Sequence, residues 1–282
     1  MLLLFHMTDV GKKEEKEVEE YKMEIRILEK SKDKNFLSFM IRGTTPAFAN
    51  ALRRVIMSEV PVMAIEDIEF RKNNTALYDE TIGHRLGLLP LKTDLKSYRM
   101  KKGAEDDGSA ACEAVFTLKA KGPGIVYASE LKSKDPKIVP VYPNTPIVSL
   151  LKGQSIELQA VAVLGKGKEH IKWSPCLVWY TYEPTLTINN KSPMLEKFKH
   201  LYPPQIFNKS GNIEKSAILD NNLVDAVDDV CDDIIKVEYN DKNIIFHIES
   251  WGQLDCKTIV QKAIELLDEH LDDFENAVKE LK

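Results

Sequence analysis

The feature that most constrains the fold of this chain is a sharply bounded amphipathic helix in its first quarter. Thr45 is a good N-cap, because its hydroxyl can accept a hydrogen bond from an orphan backbone N–H, and Pro46 fits the first helical position. Pro61 stops the helix shortly after Glu59. The spacing therefore predicts a helix over 46–58. Its apolar side chains recur at i, i+4, i+7 and i+8 and form one stripe: Phe48, Leu52, Val55 and Ile56.

Polar side chains lie beside this stripe and admit two interpretations. Asn50, Arg53 and Arg54 flank the apolar positions, and arginine suits bidentate pairing with carboxylates or carbonyls of a partner. The alternative is a core helix with two solvated arginines. Spacing alone favours that alternative, because most amphipathic helices only contribute to the core of their own chain.

The region that contains this helix, 43–91, carries no catalytic signature. After the helix come an apolar strand (VMAIEDIEF) and a short helical segment at 78–87 that Pro90 limits. The stretch has no nucleophile, metal cluster or phosphate loop. We therefore interpret it as part of a chain that holds other chains together.

Composition excludes several functional classes. The chain has 282 residues, 43% hydrophobic and 29% charged, and a net charge of −5, so we expect two or three domains and no overall electrostatic attraction to nucleic acid. No apolar run is long enough for a membrane span. MLLLF is too short for a signal peptide, which predicts a cytoplasmic location. The mixed-charge run at 11–22 predicts that residues 1–22 form a flexible tail.

Motifs for catalysis and metal binding are weak. The four cysteines, at 112, 176, 231 and 256, form no CxxC pair, which predicts free thiols in a reducing compartment. The segment LGKGKEHIKWSP lacks the spacing and ending of a Walker loop. Its basic side chains could touch nucleic acid or an acidic protein surface, or could form a solvated hairpin tip: Lys166, Lys168, His170 and Lys172.

The remaining chain divides by texture. Two strands at 23–29 and 35–42 precede the first helix, and 112–182 is rich in β-branched and aromatic residues. Residues 191–236 contain prolines and an acidic helix and suggest a small separate module. The segment KVEYNDKNIIFHIES predicts a hairpin with an Asn-Asp-Lys-Asn turn.

A long helix, predicted over 255–281, ends the sequence. Its apolar residues are spaced 4-3-4-3-4-3, which is a heptad seam that predicts a coiled-coil-like contact. The seam consists of Val260, Ile264, Leu267, Leu271, Phe274, Val278 and Leu281. The alternative is a seam packed on the chain's own sheet.

The 191–236 module has the outline of a ferredoxin half-repeat without its ligands. Counting back from Cys231 by the ferredoxin spacing places other residues where cysteines are expected: Tyr202 before Pro203, then Asn221, Val224 and Val227. One thiol cannot hold an iron–sulfur cluster. We therefore expect no cofactor or metal here, with packing of Val224, Val227 and Ile206 in the cluster's place.

Several long motifs together resemble one family. GTTPAFANALRRVIMSEVPVMAIEDIEF, ALYDETIGHRLGLLPL, GPGIVYASELKS, PNTPIV and LGKGKEHIKW occur in the order found in archaeal RNA polymerase D subunits. These are the counterparts of the bacterial α subunit and of the third-largest eukaryotic polymerase II subunit. The resemblance runs from about residue 23 to 282.

This resemblance implies an α+β fold with a discontinuous dimerisation domain. The domain is expected from 23–68, 178–190 and 237–282, with an inserted mainly β domain at 69–177 and the degenerate ferredoxin-like module at 191–236. It implies a non-catalytic scaffold that pairs with subunit L, while nucleotidyl transfer occurs in other chains and DNA is contacted only indirectly. The alternatives are an α-type homodimer and a ferredoxin-like electron-transfer protein, which the missing cysteines disfavour.

The resemblance also assigns roles to residues. Arg53 and Arg54 are expected to face the large catalytic subunits. The docking side towards subunits B, N and P is expected to include His84, Arg85 and the 165–173 loop with Lys166, Lys168, His170 and Trp173. The interface with subunit L is expected to include Phe48, Leu52, Val55, Ile56, Ile264, Leu267, Leu271 and Phe274.

Overall fold

A computed structural model describes residues 23–281, so the predicted tail at 1–22 lies outside the described residues. Its strands are β1 (Glu24–Lys30), β2 (Phe36–Arg42), β3 (Val62–Asn73), β4 (Glu113–Lys121), β5 (Gly124–Tyr127), β6 (Lys132–Ser133), β7 (Pro146–Leu150), β8 (Ser155–Gly165), β9 (Cys176–Ile188) and β10 (Ile235–Ser250). Its α-helices are α1 (Pro46–Ser58), α2 (Asp79–Gly87), α3 (Leu195–Phe198), α4 (Lys215–Asp220), α5 (Val224–Val227) and α6 (Cys256–Glu280). The mixed helix-and-strand class predicted from the sequence is confirmed.

The first sheet combines two strands from the first part of the described chain with two from its last part. Its strand order is β1-β2-β10-β9, and each neighbouring pair is antiparallel. The predicted hairpin at 236–250 is wrong, because β10 is one continuous strand that pairs with β9 from Ile235 to Ser250. The polar quartet that resembled a turn forms an irregularity between Asn240 and Ile244. Pairing with β9 on both sides of this irregularity keeps the segment in one strand, and the segment contains no glycine to reverse it.

Helices α1 and α6 cover one face of this sheet. The inward side chains of β2 and β10 alternate with outward ones, as strand geometry requires. Phe39 and Phe246 stack in the core with ring centroids 5.2 Å apart. The core that these strands share with the two helices includes Ile41, Leu52, Ile56, Ile244, Ile248, Ile259 and Ala263.

The second sheet has the order β3-β8-β4-β6, and α2 and the β5–β7 pair pack beside it. Strand β3 pairs with β8 from Val62 to Asn73, so the expected domain boundary at 68/69 falls inside one strand. Alternation along β3 sends Val62 to the first core and Met63 to the second. Strand β3 of the second sheet therefore contributes side chains to both cores.

The 191–236 region forms a third core from short helices. Ile206, Ile218 and Val227 are fully buried together with Ile234. Leu186 of β9 and Ile235 of β10 contribute to the same core, so the module is built on the far ends of two strands of the first sheet. Within residues 23–281, none of the helices is long and apolar enough to cross a membrane.

Candidate subunit interface

Helix α6 carries two adjacent apolar stripes, one buried in the chain's own core and the other largely exposed. Asp255 caps the helix by accepting a 2.9 Å hydrogen bond from the backbone N–H of Thr258. One stripe is buried against the first sheet and α1: Cys256, Ile259, Ala263 and Leu266. The other stripe is the predicted heptad seam, of which Val260 and Leu267 are partly buried against the same core. The two stripes together explain why one helix can serve its own core and still present an apolar edge.

The second half of α6 extends away from the rest of the chain. Every residue from 268 to 280 is exposed, which corresponds to about 20 Å of helix. The seam residues remain open to solvent, with exposed fractions of 47% for Ile264, 46% for Leu271, 65% for Phe274 and 44% for Val278. An exposed contiguous apolar stripe of this kind is typical of a protein–protein contact.

The predicted stripe on α1 is mostly buried, unlike the exposed stripe on α6. Leu52, Val55 and Ile56 are buried in the chain's own core, so no apolar surface of these three is open to a partner. The structure therefore corrects their expected place in an interface and matches the core-helix alternative. Phe48, one turn earlier, is 37% exposed. The helix begins as predicted, because Thr45 Oγ1 accepts a hydrogen bond from the Phe48 N–H at 3.3 Å.

Strand β1 also presents exposed apolar side chains, although the sequence predicted only that this segment is a strand. Ile25 and Ile27 lie opposite Ile41 and Phe39 in the register, so they point to the helix-covered face of the sheet. They are nevertheless 63% and 64% exposed, because neither helix reaches over this edge. A groove of about 290 Å³ lies at the start of the strand, lined by Met23, Gly43, Thr44, Thr45, Phe48 and Lys242.

The arginines of α1 differ in their surroundings. The Arg53 guanidinium donates to Asn50 Oδ1 at 2.9 and 3.2 Å and to Met57 Sδ at 3.5 Å, so it is held along its own helix. Arg54 is exposed on the side of α1 that faces away from the buried residues. Arg54 is therefore the arginine that is better placed to reach another chain.

The basic loop at 165–173 is tied to its own chain. Lys166 Nζ and Lys168 Nζ lie 2.9 and 3.1 Å from the Glu59 carboxylate, and Lys172 binds Glu66. Burial of the Glu59 carboxyl favours a higher pKa, but hydrogen bonds from the two lysines outweigh it and hold the pKa below its ordinary value. The lysines thus neutralise carboxylates of this chain, and the contact of this loop with another molecule stays a prediction.

Of the other predicted docking residues, two donate hydrogen bonds to carbonyls of their own chain and two are exposed histidines. Trp173 is buried, and its Nε1 donates to the Val163 carbonyl at 3.2 Å, so it is a core residue. The Arg85 guanidinium donates to the Ile147 carbonyl at 2.8 Å, which connects α2 to β7. His84, in the last turn of α2, and His170 are exposed.

Three of the four residues that the sequence predicted at ferredoxin-ligand positions pack in or beside the third core. Tyr202 and Val227 are buried, Val224 packs at the edge of their core, and Asn221 lies on the surface. Tyr202 Oη donates to the carbonyl of Cys231 at 3.5 Å. Across residues 23–281, no three His, Cys, Asp or Glu side chains come together as a metal site.

Comparison with known proteins identifies the family. The family described as RNA polymerase Rpb3/RpoA insert domain matches residues 68–175. The DNA-directed RNA polymerase subunit Rpo3 of Pyrococcus furiosus is 35% identical over 268 residues, covering 92% of this chain and 98% of the relative. The chain belongs to the Rpo3 family of DNA-directed RNA polymerase subunits.

Other Rpo3 proteins are similar to this chain at comparable sequence identity. The Rpo3 of Pyrococcus horikoshii is 36% identical and covers 92% of this chain and 99% of the relative. That of Pyrobaculum islandicum is 36% identical and covers 85% of this chain and 89% of the relative. The family resemblance predicted from sequence motifs is thereby confirmed.

Proposed function

We propose that this Rpo3-family chain is a non-catalytic assembly subunit of a cytoplasmic DNA-directed RNA polymerase. In this role it pairs with subunit L and docks the large catalytic subunits, while Mg²⁺-dependent nucleotidyl transfer and contact with DNA belong to other chains. The single observation that carries the proposal is the exposed apolar stripe on the projecting half of α6. Such a stripe is costly in water and gains stability when a partner covers it.

The proposed dimerisation domain is the first sheet with α1 and α6. Its segments are discontinuous in sequence, at 23–68, 178–190 and 237–282, with the insert and the degenerate ferredoxin-like module between them. Ile264, Leu271 and Phe274 would supply the centre of the contact with subunit L, and Phe48 and the exposed isoleucines of β1 would extend it. Each fully covered side chain of this size contributes roughly 2 kcal/mol, which supports a stable heterodimer.

The proposed docking edge towards the other subunits rests on exposed polar groups. Arg54 is directed away from the core of α1 and suits a carboxylate of a large subunit. His84 and His170 are exposed and are proposed to face subunits B, N and P. Lys166 and Lys168 contribute by fixing the loop to Glu59. In the module, apolar packing is proposed to take the place of an iron–sulfur cluster.

The test places charges on the exposed stripe and follows pairing. The double substitution Leu271→Asp and Phe274→Asp is expected to weaken pairing with subunit L at least about hundredfold, because two carboxylates would be buried in an apolar contact. Both side chains are exposed, so the fold of the chain is spared; Leu267 is less suitable because it also contacts the chain's own core. Size-exclusion chromatography of the co-expressed chains measures the complex.

A matched control separates this surface from exposed apolar residues in general. Leu151, in the insert, is 66% exposed, and Leu151→Asp is expected to leave the pair with subunit L intact. A 1:1 complex that survives the double substitution on α6 would overturn the proposed role of the stripe.

A further inference from the structure

One edge of the exposed stripe on α6 is lined by carboxylates. Asp268 and Glu275 follow Ile264 and Leu271 by four residues, which places each carboxylate about 40° around the helix from its apolar neighbour. Asp272 lies between them along the helix axis, about 40° further around from the stripe than Asp268. Glu275 pairs with Lys279 at 2.7 Å. Within residues 23–281, neither Asp268 nor Asp272 has a cationic side chain within 4.0 Å. We call Asp268, Asp272 and Glu275 the acidic edge.

The other edge of the stripe is closed by the chain itself up to Leu267 and is open beyond it. Ile259, Ala263 and Leu266 adjoin the stripe on that side and are buried in the first core. A partner that covers Leu271, Phe274 and Val278 therefore lies beside the acidic edge on one side and beside the exposed residues His270 and Ala277 on the other. The surrounding segment 263–278 contains six carboxylates and no lysine or arginine: Glu265, Asp268, Glu269, Asp272, Asp273 and Glu275.

This charge arrangement discriminates between two occupants of the stripe. A second copy of the chain, paired through antiparallel copies of α6 about a two-fold axis, would bring the two acidic edges together. Like charges that flank an apolar seam oppose pairing, whereas opposite charges select the partner. A partner helix that carries lysine or arginine beside its own apolar stripe meets the acidic edge with favourable pairs.

We propose that the acidic edge makes α6 selective for a different chain with a cationic flank and excludes a second copy of itself. This inference rests on the proposed function, since it concerns the same surface. It adds the chemistry of the partner: an amphipathic helix whose apolar stripe is bordered by lysine or arginine. Apolar burial supplies most of the affinity, and the edge supplies the choice of partner.

The experiment compares two charge reversals on the same helix. Asp268→Lys with Asp272→Lys reverses the acidic edge. Glu269→Lys with Asp273→Lys makes the same change in net charge on the side of α6 turned away from the stripe, and all four residues are exposed. Each variant is co-expressed with wild-type chain and a limiting amount of subunit L, and native mass spectrometry measures which chain subunit L captures.

We expect the edge variant to be captured about tenfold less than wild type and the control variant about equally with wild type. Re-equilibration in 1 M NaCl is expected to shrink the tenfold difference, because salt screens exposed charges. Equal capture of the two variants, or a stable homodimer of the wild-type chain, would overturn the inference. If subunit L captures no form of the chain, the proposed function itself fails, and this inference fails with it.

Discussion

Helices α1 and α6 look alike in sequence but differ in how much of their apolar surface the chain covers. Both begin at side-chain caps, Thr45 and Asp255, and both have amphipathic spacing. In the stripe of α1, Leu52, Val55 and Ile56 are covered by the chain itself and only Phe48 is exposed, whereas the seam of α6 is covered only near its start. Amphipathic spacing therefore shows that a helix has a packing face, and the geometry of the surrounding sheet decides what packs on it.

Length contributes to the difference. Helix α6 has 25 residues and measures about 37 Å, whereas the seven residues of β2 span about 23 Å. Four neighbouring strands make a sheet only about 15 to 20 Å wide. Helix α6 is therefore longer than the sheet is wide and longer than β2, although β9 and β10 are longer than the helix. Its residues from 268 to 280 are not covered by their own chain. Helix α1, with 13 residues, fits within the sheet.

The largest expected effect separates the two helices by stability. Ile56→Ala in α1 is expected to lower the free energy of unfolding by about 2–5 kcal/mol, because it leaves a cavity at a fully buried site. Phe274→Ala in α6 is expected to change the stability of the isolated chain by less than about 0.5 kcal/mol. Denaturant titration measures both. A loss above about 2 kcal/mol for Phe274→Ala would show that the distal helix packs on its own chain.

A smaller effect concerns the ion pairs at the end of α1. Glu59→Gln is expected to lower the free energy of unfolding by about 1 kcal/mol at pH 7, because Lys166 and Lys168 lose a carboxylate that is mostly shielded from solvent. The exposure of Lys168 keeps the effect small. Denaturant titration across pH checks the value, and Glu265→Gln, at an exposed carboxylate of α6, serves as the control.

The pH dependence of this effect has a definite sign. Because the folded state holds the pKa of Glu59 below its ordinary value of 4.5, the stabilisation is fully present above that pH. It disappears as the pH falls through the lower pKa of the folded state. The stability difference between wild type and Glu59→Gln is therefore expected to vanish in acid. A difference that persists unchanged there would contradict the assigned ion pairs.

Local signals predicted the elements of the fold well. Thr45, Pro46 and Pro61 bound α1 at the predicted residues, because capping and proline chemistry act within one turn of the helix. The turn predicted for the segment around Asn240 is wrong, because the contact that decides the structure of this segment is not local. Its polar residues favour a turn locally, but continuous pairing with β9 keeps them in one strand.

The candidate interface was predictable only in part. The heptad spacing identified Ile264, Leu271 and Phe274, but no local signal showed that the burial of α6 on its own chain ends near Leu267. Residues 23–29 were predicted only as a strand, and no local signal showed that Ile25 and Ile27 stay uncovered. No local signal indicated the intrachain partners of the lysines in the 165–173 loop, because Glu59 and Glu66 are about a hundred residues away in sequence.

Amide hydrogen exchange along α6 tests the central claim most directly. In the isolated chain, amides of 256–266 are expected to exchange slowly and those of 268–280 quickly, because only the first half packs against the sheet. In the co-purified complex with subunit L, amides of 268–280 are expected to slow by at least about tenfold, while 256–266 change little. Unchanged exchange over 268–280 in that complex would contradict the account.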